Sequence, residues 1–91
     1  MKFNIGALVL TKGITFERNR SEEFSDGINE VLDRYISGDW GDLDEEDCQT
    51  NEFALKHGER LLGAYHVCDK KIYIITEYDR SITTILLAEE Y

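Results

Sequence analysis

GDWGDLDEEDCQTNEFALKHG, residues 38–58, is the stretch from which the organisation of the chain can be worked out. It holds seven carboxylates and the chain's one Trp, and no Lys or Arg occurs in residues 35–55. Asp44 fits the N-cap of a helix, because three more acids follow in the first turn, where the helix dipole favours anions. Gly58 fits the left-handed position just after the helix end. The stretch therefore predicts an acidic loop followed by a helix that ends near His57.

A second helix is predicted upstream of this stretch. Ser21 offers a capping hydroxyl, and two Glu follow it in the first turn. Apolar residues then recur at helical spacing as one continuous stripe, and Gly38 ends it. The members of this stripe are Phe24, Ile28, Val31, Leu32, Tyr35 and Ile36. The helix after Asp44 has a thinner inward stripe, formed by Cys48, Asn51, Ala54 and Leu55.

The last third of the chain has the pattern of three strands. Residues 60–67, 71–78 and 81–88 are β-rich and are joined by short loops, which demand antiparallel neighbours. A further strand near residues 5–11 must join this sheet, because an isolated strand is not stable. Residues 14–20 are either a short extended piece or a single helical turn. The sequence thus predicts a single α+β domain of residues 1–91, with order β-α-α-β-β-β, a two-layer architecture, an antiparallel sheet and two helices on one face.

Charge and composition bound the function. Nineteen acids and ten bases give a net charge of −9. This charge repels nucleic acid and anionic membranes and attracts cationic protein surfaces, although it can also serve solubility alone. The charge disfavours direct binding of nucleic acid, and a locally basic patch around Lys12, Arg18 and Arg20 leaves that alternative open. The N-terminus has neither the length of a membrane span nor a signal cleavage site, so a cytoplasmic location is expected.

No motif in the chain carries recognisable chemistry. There is neither a G-x-S-x-G elbow nor a glycine-rich phosphate loop. The acids of residues 39–46 miss the alternating spacing of a calcium loop. His57 and His66, even with Cys48 and Cys68, match no zinc pattern, and both thiols are expected to be free. We therefore predict no enzyme activity, no catalytic residue, no cofactor and no metal.

The acidic stretch is instead a candidate contact surface for another protein. Helix initiation explains the acids that follow Leu43, but it does not explain Asp39 and Asp42. Trp40 either fills the core where the two helices meet or stands exposed as a binding hot spot for an Arg-bearing partner. The predicted protein-binding residues are Asp39, Trp40, Asp42, Asp44, Glu45, Glu46 and Asp47.

Several segments resemble a group of small bacterial proteins encoded largely on plasmids, integrated conjugative elements and phages. They are GDWGDL-x-EED (38–47), NE-x-AL (51–55), G-x-RLL-x-AY (58–65), KI-x-IITE-x-DRS-x-TT (71–84) and EEY (89–91). The resemblance implies no catalytic residues. Members of the group are labelled plasmid-related protein or subunit of a type I restriction–modification methyltransferase. The second label does not fit this chain, since an N-P-P-[FY] motif needs prolines and the chain has none.

Two function classes follow from these observations. The first is a non-enzymatic accessory protein of a mobile element that binds another protein, in its sharper form as a nucleic-acid mimic that occupies the cationic groove of a host defence or DNA-processing protein. The second is a structural or regulatory module that forms a homo-oligomer through a sheet edge or an apolar strand face. A metal-dependent enzyme is a third and weaker alternative.

Overall fold

The computed structural model describes residues 3–91. Four strands and three α-helices occur in the order β1 (Ala7–Leu10), α1 (Lys12–Arg20), α2 (Glu22–Ile36), α3 (Glu45–His57), β2 (Leu61–Val67), β3 (Lys70–Thr76) and β4 (Ile82–Leu87), and a 3-10 turn follows at Ala88–Glu90. The strands form one sheet with the order β1-β4-β3-β2. The predicted α+β class and the antiparallel meander β2-β3-β4 are confirmed.

Both helices predicted from the sequence are present with the expected caps. The Ser21 hydroxyl accepts from the N–H of Phe24 at 3.1 Å, and the Asp44 carboxylate accepts from the N–H of Asp47 at 2.8 Å. Gly58 ends α3 in the left-handed conformation, with a φ of 66°. Local capping chemistry therefore sets the ends of these helices, as the sequence predicts.

Helix α1 is an addition to the predicted order. The Thr11 hydroxyl caps it by accepting from the N–H of Ile14 at 3.4 Å. A residue at the opposite end of the chain also holds this N-terminus. The Glu90 carboxylate accepts from the Thr11 hydroxyl at 2.6 Å and from the N–H of Gly13 at 3.1 Å. An anion at the positive end of the helix dipole is stabilising, so the Glu90 carboxylate of the C-terminal turn stabilises α1.

The hydrogen bonds that Glu90 accepts at the start of α1 lead to a pH-dependent prediction. Burial raises the pKa of Glu90, but hydrogen bonds from Thr11, Leu87 and Gly13 outweigh burial and lower it overall. A carboxyl with a lowered folded-state pKa stabilises the fold above its unfolded pKa, and this stability is lost as the pH falls through the folded value. We expect Glu90→Gln to lower the free energy of unfolding by about 1 kcal/mol at pH 7. The deficit should shrink in acid, as measured by urea unfolding at several pH values.

Glu89→Gln is the matched control for this measurement. Glu89 is exposed, and no hydrogen bond or ion pair of its side chain occurs within residues 3–91. Its replacement removes the same charge and should leave stability nearly unchanged at every pH. Equal losses of unfolding free energy in the two variants would mean that the change in net charge, and not the loss of the Glu90 hydrogen bonds, causes the effect.

Strand β1 corrects the expectation of a wholly antiparallel sheet. It pairs with β4 in parallel, from Ala7 opposite Ile82 to Leu10 opposite Ile85. Most of the chain separates the two strands, so the short-loop rule that fixes antiparallel hairpins does not apply to them. The parallel direction places the ends of β1 and β4 at the same end of the sheet. The residues after β4 can therefore reach the start of α1.

One face of the sheet forms the hydrophobic core with α1 and α2, and α3 contributes Ala54 to the same core. Gly27 of α2 lies so close to β2 that a Cβ there would be 2.4 Å from Val67 Cγ1. A buried chain of hydroxyls crosses the layer, where the Tyr35 hydroxyl lies 2.7 Å from that of Thr76, which lies 2.7 Å from that of Thr83. The core members include Ile14, Phe24, Ile28, Val31, Tyr35, Leu61, Tyr65, Val67, Ile72, Ile74, Ile85 and Leu87.

None of the helices in residues 3–91 is both long and apolar enough to cross a membrane.

Candidate protein-binding groove

The acidic loop between α2 and α3 runs along the edge of β2. The N–H of Ala64 donates to the C=O of Trp40 at 3.2 Å, and the N–H of Asp42 donates to the C=O of Ala64 at 2.7 Å. Gly41 lies between them with a φ of 78°, and a Cβ on it would be 2.0 Å from the Ala64 oxygen. The loop is therefore fixed against the sheet at a position that requires glycine.

Trp40 is buried, with 4% of its surface exposed. Its ring stacks on Phe3 with centroids 5.9 Å apart and meets the edge of Tyr35 at 5.5 Å. The indole Nε1 donates to Glu52 Oε2 at 2.8 Å. Of the two alternatives open from the sequence, Trp40 thus takes the core-filling one. We correct the predicted contact surface by removing it, because a partner cannot reach the ring.

Three of the six predicted carboxylates have roles within the fold. Asp39 accepts from Arg34 Nε at 2.8 Å and from the N–H of Gly41 at 3.0 Å, and these bonds, Arg34 first, lower the pKa of Asp39. Asp42 Oδ2 lies 2.7 Å from Nδ1 of His66. Asp44 is the cap of α3 described above. All three remain exposed, so they are positioned by the chain without being taken out of solvent.

The other three carboxylates, Glu45, Glu46 and Asp47, form the exposed first turn of α3. Within residues 3–91 their side chains make no hydrogen bond or ion pair. They are held near one another by the helix and by the cap beneath them. The part of the predicted acidic surface whose carboxylates have no hydrogen bond or ion pair within residues 3–91 therefore lies at the start of α3.

A groove of about 500 Å³ lies beside this acidic surface. Its wall is the acidic loop and the start of α3, and its floor is the sheet face opposite the core. Leu62, Ala64 and Tyr73 give the floor an apolar character, whereas His66 and Lys71 close one end. The lining residues are Asp42, Leu43, Asp44, Asp47, Leu62, Ala64, His66, Lys71 and Tyr73.

Sequence reasoning identified the wall of the groove but missed its floor. The available signal was the alternation of side chains along β2 and β3, which turns Leu62, Ala64 and Tyr73 to the face opposite Tyr65 and Ile72. The missing information was which strand borders the acidic loop. An apolar floor beside carboxylates can hold an apolar side chain while the wall pairs with a neighbouring cation.

Residues 3–91 contain no group of three or more His, Cys, Asp or Glu side chains arranged to hold a metal ion. Cys48 is partly buried, Cys68 is exposed, and both are free thiols.

Comparison with known proteins adds no relative to this picture. No protein-family model, curated protein or solved structure matches the chain.

Proposed function

We propose that this chain is a non-enzymatic accessory protein of a bacterial mobile element, that it acts in the cytoplasm, and that it binds another protein through the acidic groove. The observation that carries the proposal is the groove itself, in which a fixed acidic wall borders an apolar floor. The resemblance of residues 38–91 to mobile-element proteins supports the biological setting.

The partner expected from this chemistry carries Arg or Lys beside an apolar side chain. Protein interfaces combine an apolar centre with a polar rim, and here Tyr73 and Leu62 would form part of the centre. The net charge of −9 would steer a cationic surface towards the groove and speed association at low salt. Direct binding to nucleic acid is disfavoured for the same reason.

In its sharper form, the proposal is that the acidic surface imitates nucleic-acid phosphates. Asp44, Glu45, Glu46 and Asp47 are consecutive carboxylates at one helix start, and three of them have no partner within residues 3–91. A protein with a cationic nucleic-acid groove presents Lys and Arg that such a surface can pair with. DNA and this chain should then compete for the same partner.

The first experiment is capture from host lysate with the tagged protein, followed by elution in steps of salt and by identification of the eluted protein. The affinity of that partner is then measured for a variant in which Glu45→Gln, Glu46→Gln and Asp47→Asn are combined. We expect the affinity to fall by about tenfold or more, because several charge pairs are lost together. Added DNA should displace the partner if the sharper form is correct.

The matched control removes the same charges from the first turns of the other long helix. Glu22, Glu23 and Asp26 of α2 are also exposed. Their replacement by Gln, Gln and Asn changes net charge equally, and none of the three residues lines the groove. Equal losses of affinity in the two triple variants would contradict a specific role of the groove. Full affinity of the α3 variant would exclude its first turn as the contact.

A further inference from the structure

The two edge strands of the sheet, β1 and β2, have backbone N–H and C=O groups that point away from the sheet. The strands differ in whether these outward groups are hydrogen-bonded within the molecule. At β2 the outward groups of Leu62 and Ala64 are occupied within the molecule. The Asn51 amide donates to the C=O of Leu62 and accepts from its N–H, and residues 40–42 bond both groups of Ala64. Covering of this kind prevents another strand from pairing with an edge. The β2 edge is therefore covered at Leu62 and Ala64.

The β1 edge is open. The N–H of Ala7 donates to the C=O of Ser81, just before β4, and the N–H of Thr11 donates to the C=O of Ile85. The N–H and C=O groups of Leu8 and Leu10, which alternate with these residues, therefore point away from the sheet. Within residues 3–91, no loop or side chain bonds to these outward groups. Among the described residues, four backbone groups on two alternate residues, Leu8 and Leu10, thus face outward at this edge without a partner.

The side chains along this edge are apolar and exposed. Leu8, Val9 and Ile82 are 44%, 42% and 40% exposed, and Ile82 begins the neighbouring strand. Residues 3–11 contain no charged side chain and no Pro. Lys, Pro or a bulge normally protects a free edge from pairing, and β1 has none of these devices.

The distribution of charge favours a second copy of this chain as the occupant. Residues 3–20 contain Lys12, Arg18 and Arg20 against the single acid Glu17, which is itself bonded to Arg20 at 2.6 Å. Residues 21–91 contain eighteen acids and six bases. A contact between two β1 edges brings together the segments of the two copies that are poorest in acids, which limits the repulsion between chains that each carry a net charge of −9.

We infer that two copies pair antiparallel through β1 and form one continuous eight-stranded sheet from their two four-stranded sheets. With the twofold axis at Val9, the outward groups of Leu8 bond those of Leu10 in the second copy. The two Val9 side chains then face each other as a closely spaced pair. Such an isologous contact satisfies both open edges at once. This inference is independent of the acidic groove.

The decisive experiment measures mass by light scattering at several protein concentrations. The wild type should reach twice the 10.5 kDa of one chain. Val9→Lys and Val9→Asp each place like charges at the twofold axis and should be monomers. An equimolar mixture of the two should dimerise, because Lys then meets Asp. A wild type of 10.5 kDa at every concentration, or a mixture that stays monomeric, would overturn the inference.

Two further variants separate the edge from the neighbouring sheet face. Leu8→Pro removes an outward N–H without touching the bonds to β4, and proline is tolerated at such edge positions. It should be a monomer with a circular dichroism spectrum like that of the wild type. Thr84→Lys puts a charge on the open sheet face beside Val9 and should leave the dimer intact. Dissociation by Thr84→Lys with a persisting Leu8→Pro dimer would assign the contact to the sheet face instead.

Discussion

Gly41→Ala is expected to cost about 3 kcal/mol or more of the free energy of unfolding. A side chain at a positive φ costs roughly 1 kcal/mol by itself. At Gly41 the added Cβ would also lie 2.0 Å from the Ala64 oxygen and 2.6 Å from the Tyr65 ring. The loop must therefore move off β2 and lose its backbone bonds to that strand. For a domain of this size, the melting temperature should fall by about 12 °C or more.

Gly58→Ala is the matched control for this prediction. Gly58 also has a positive φ, of 66°, but a Cβ on it would meet nothing within 4 Å. Its replacement should cost only about 1 kcal/mol of unfolding free energy, which is the cost of placing a side chain at a positive φ. Urea unfolding followed by circular dichroism gives both values. Similar losses in the two variants would mean that the contact of the loop with β2 adds little to stability.

The parts of the fold that the sequence predicts correctly are those that neighbouring residues determine. Ser21 and Asp44 cap helices through bonds to residues three positions later. The apolar stripe of α2 and the alternation in β3 are likewise periodic within one element. Such signals depend on side-chain chemistry within a few residues, so they can be read without the rest of the chain.

The parts that the sequence does not predict depend on distant contacts. Helix α1 buries little more than Ile14 and Glu17, so it lacks an apolar stripe, and its N-terminus is held by Glu90. The parallel direction of β1 has no local signal either, because β4 lies at the other end of the chain. The sequence shows these residues but does not show that they meet.

The candidate groove also combines features that the local sequence predicts with features that depend on distant contacts. The acids were identified because charge is visible in composition, and the structural roles of Asp39 and Asp42 became clear only through Arg34 and His66. The sequence placed Asn51 on the inward side of α3. Its bonds to both backbone groups of Leu62 depend on the sheet edge that it faces. The pairing of strands is therefore the information that turns an acidic segment into a groove.

Trp40→Ala is the second substitution for which a large effect is expected. Replacing a buried Trp or Phe by Ala typically costs about 3–5 kcal/mol, through lost burial and the cavity left behind. Trp40 is 4% exposed and packs against Phe3 and Tyr35. Since the whole stability of a small domain is about 5–15 kcal/mol, this loss is a large share of it and should lower the melting temperature by about 12 °C or more. Urea unfolding by circular dichroism measures the loss.

Phe53→Ala is the control, because Phe53 is 54% exposed and stacks on His57 at the surface of α3. It should cost less than about 1 kcal/mol. Trp40→Phe keeps an aromatic ring in the core and removes the Nε1 donor to Glu52, so its loss should be about 1 kcal/mol. Affinity for a partner bound in the groove should stay near the wild-type value in Trp40→Phe. A stable Trp40→Phe protein that no longer binds the partner would instead return Trp40 to the contact surface, and the burial of its ring would then have to change on binding.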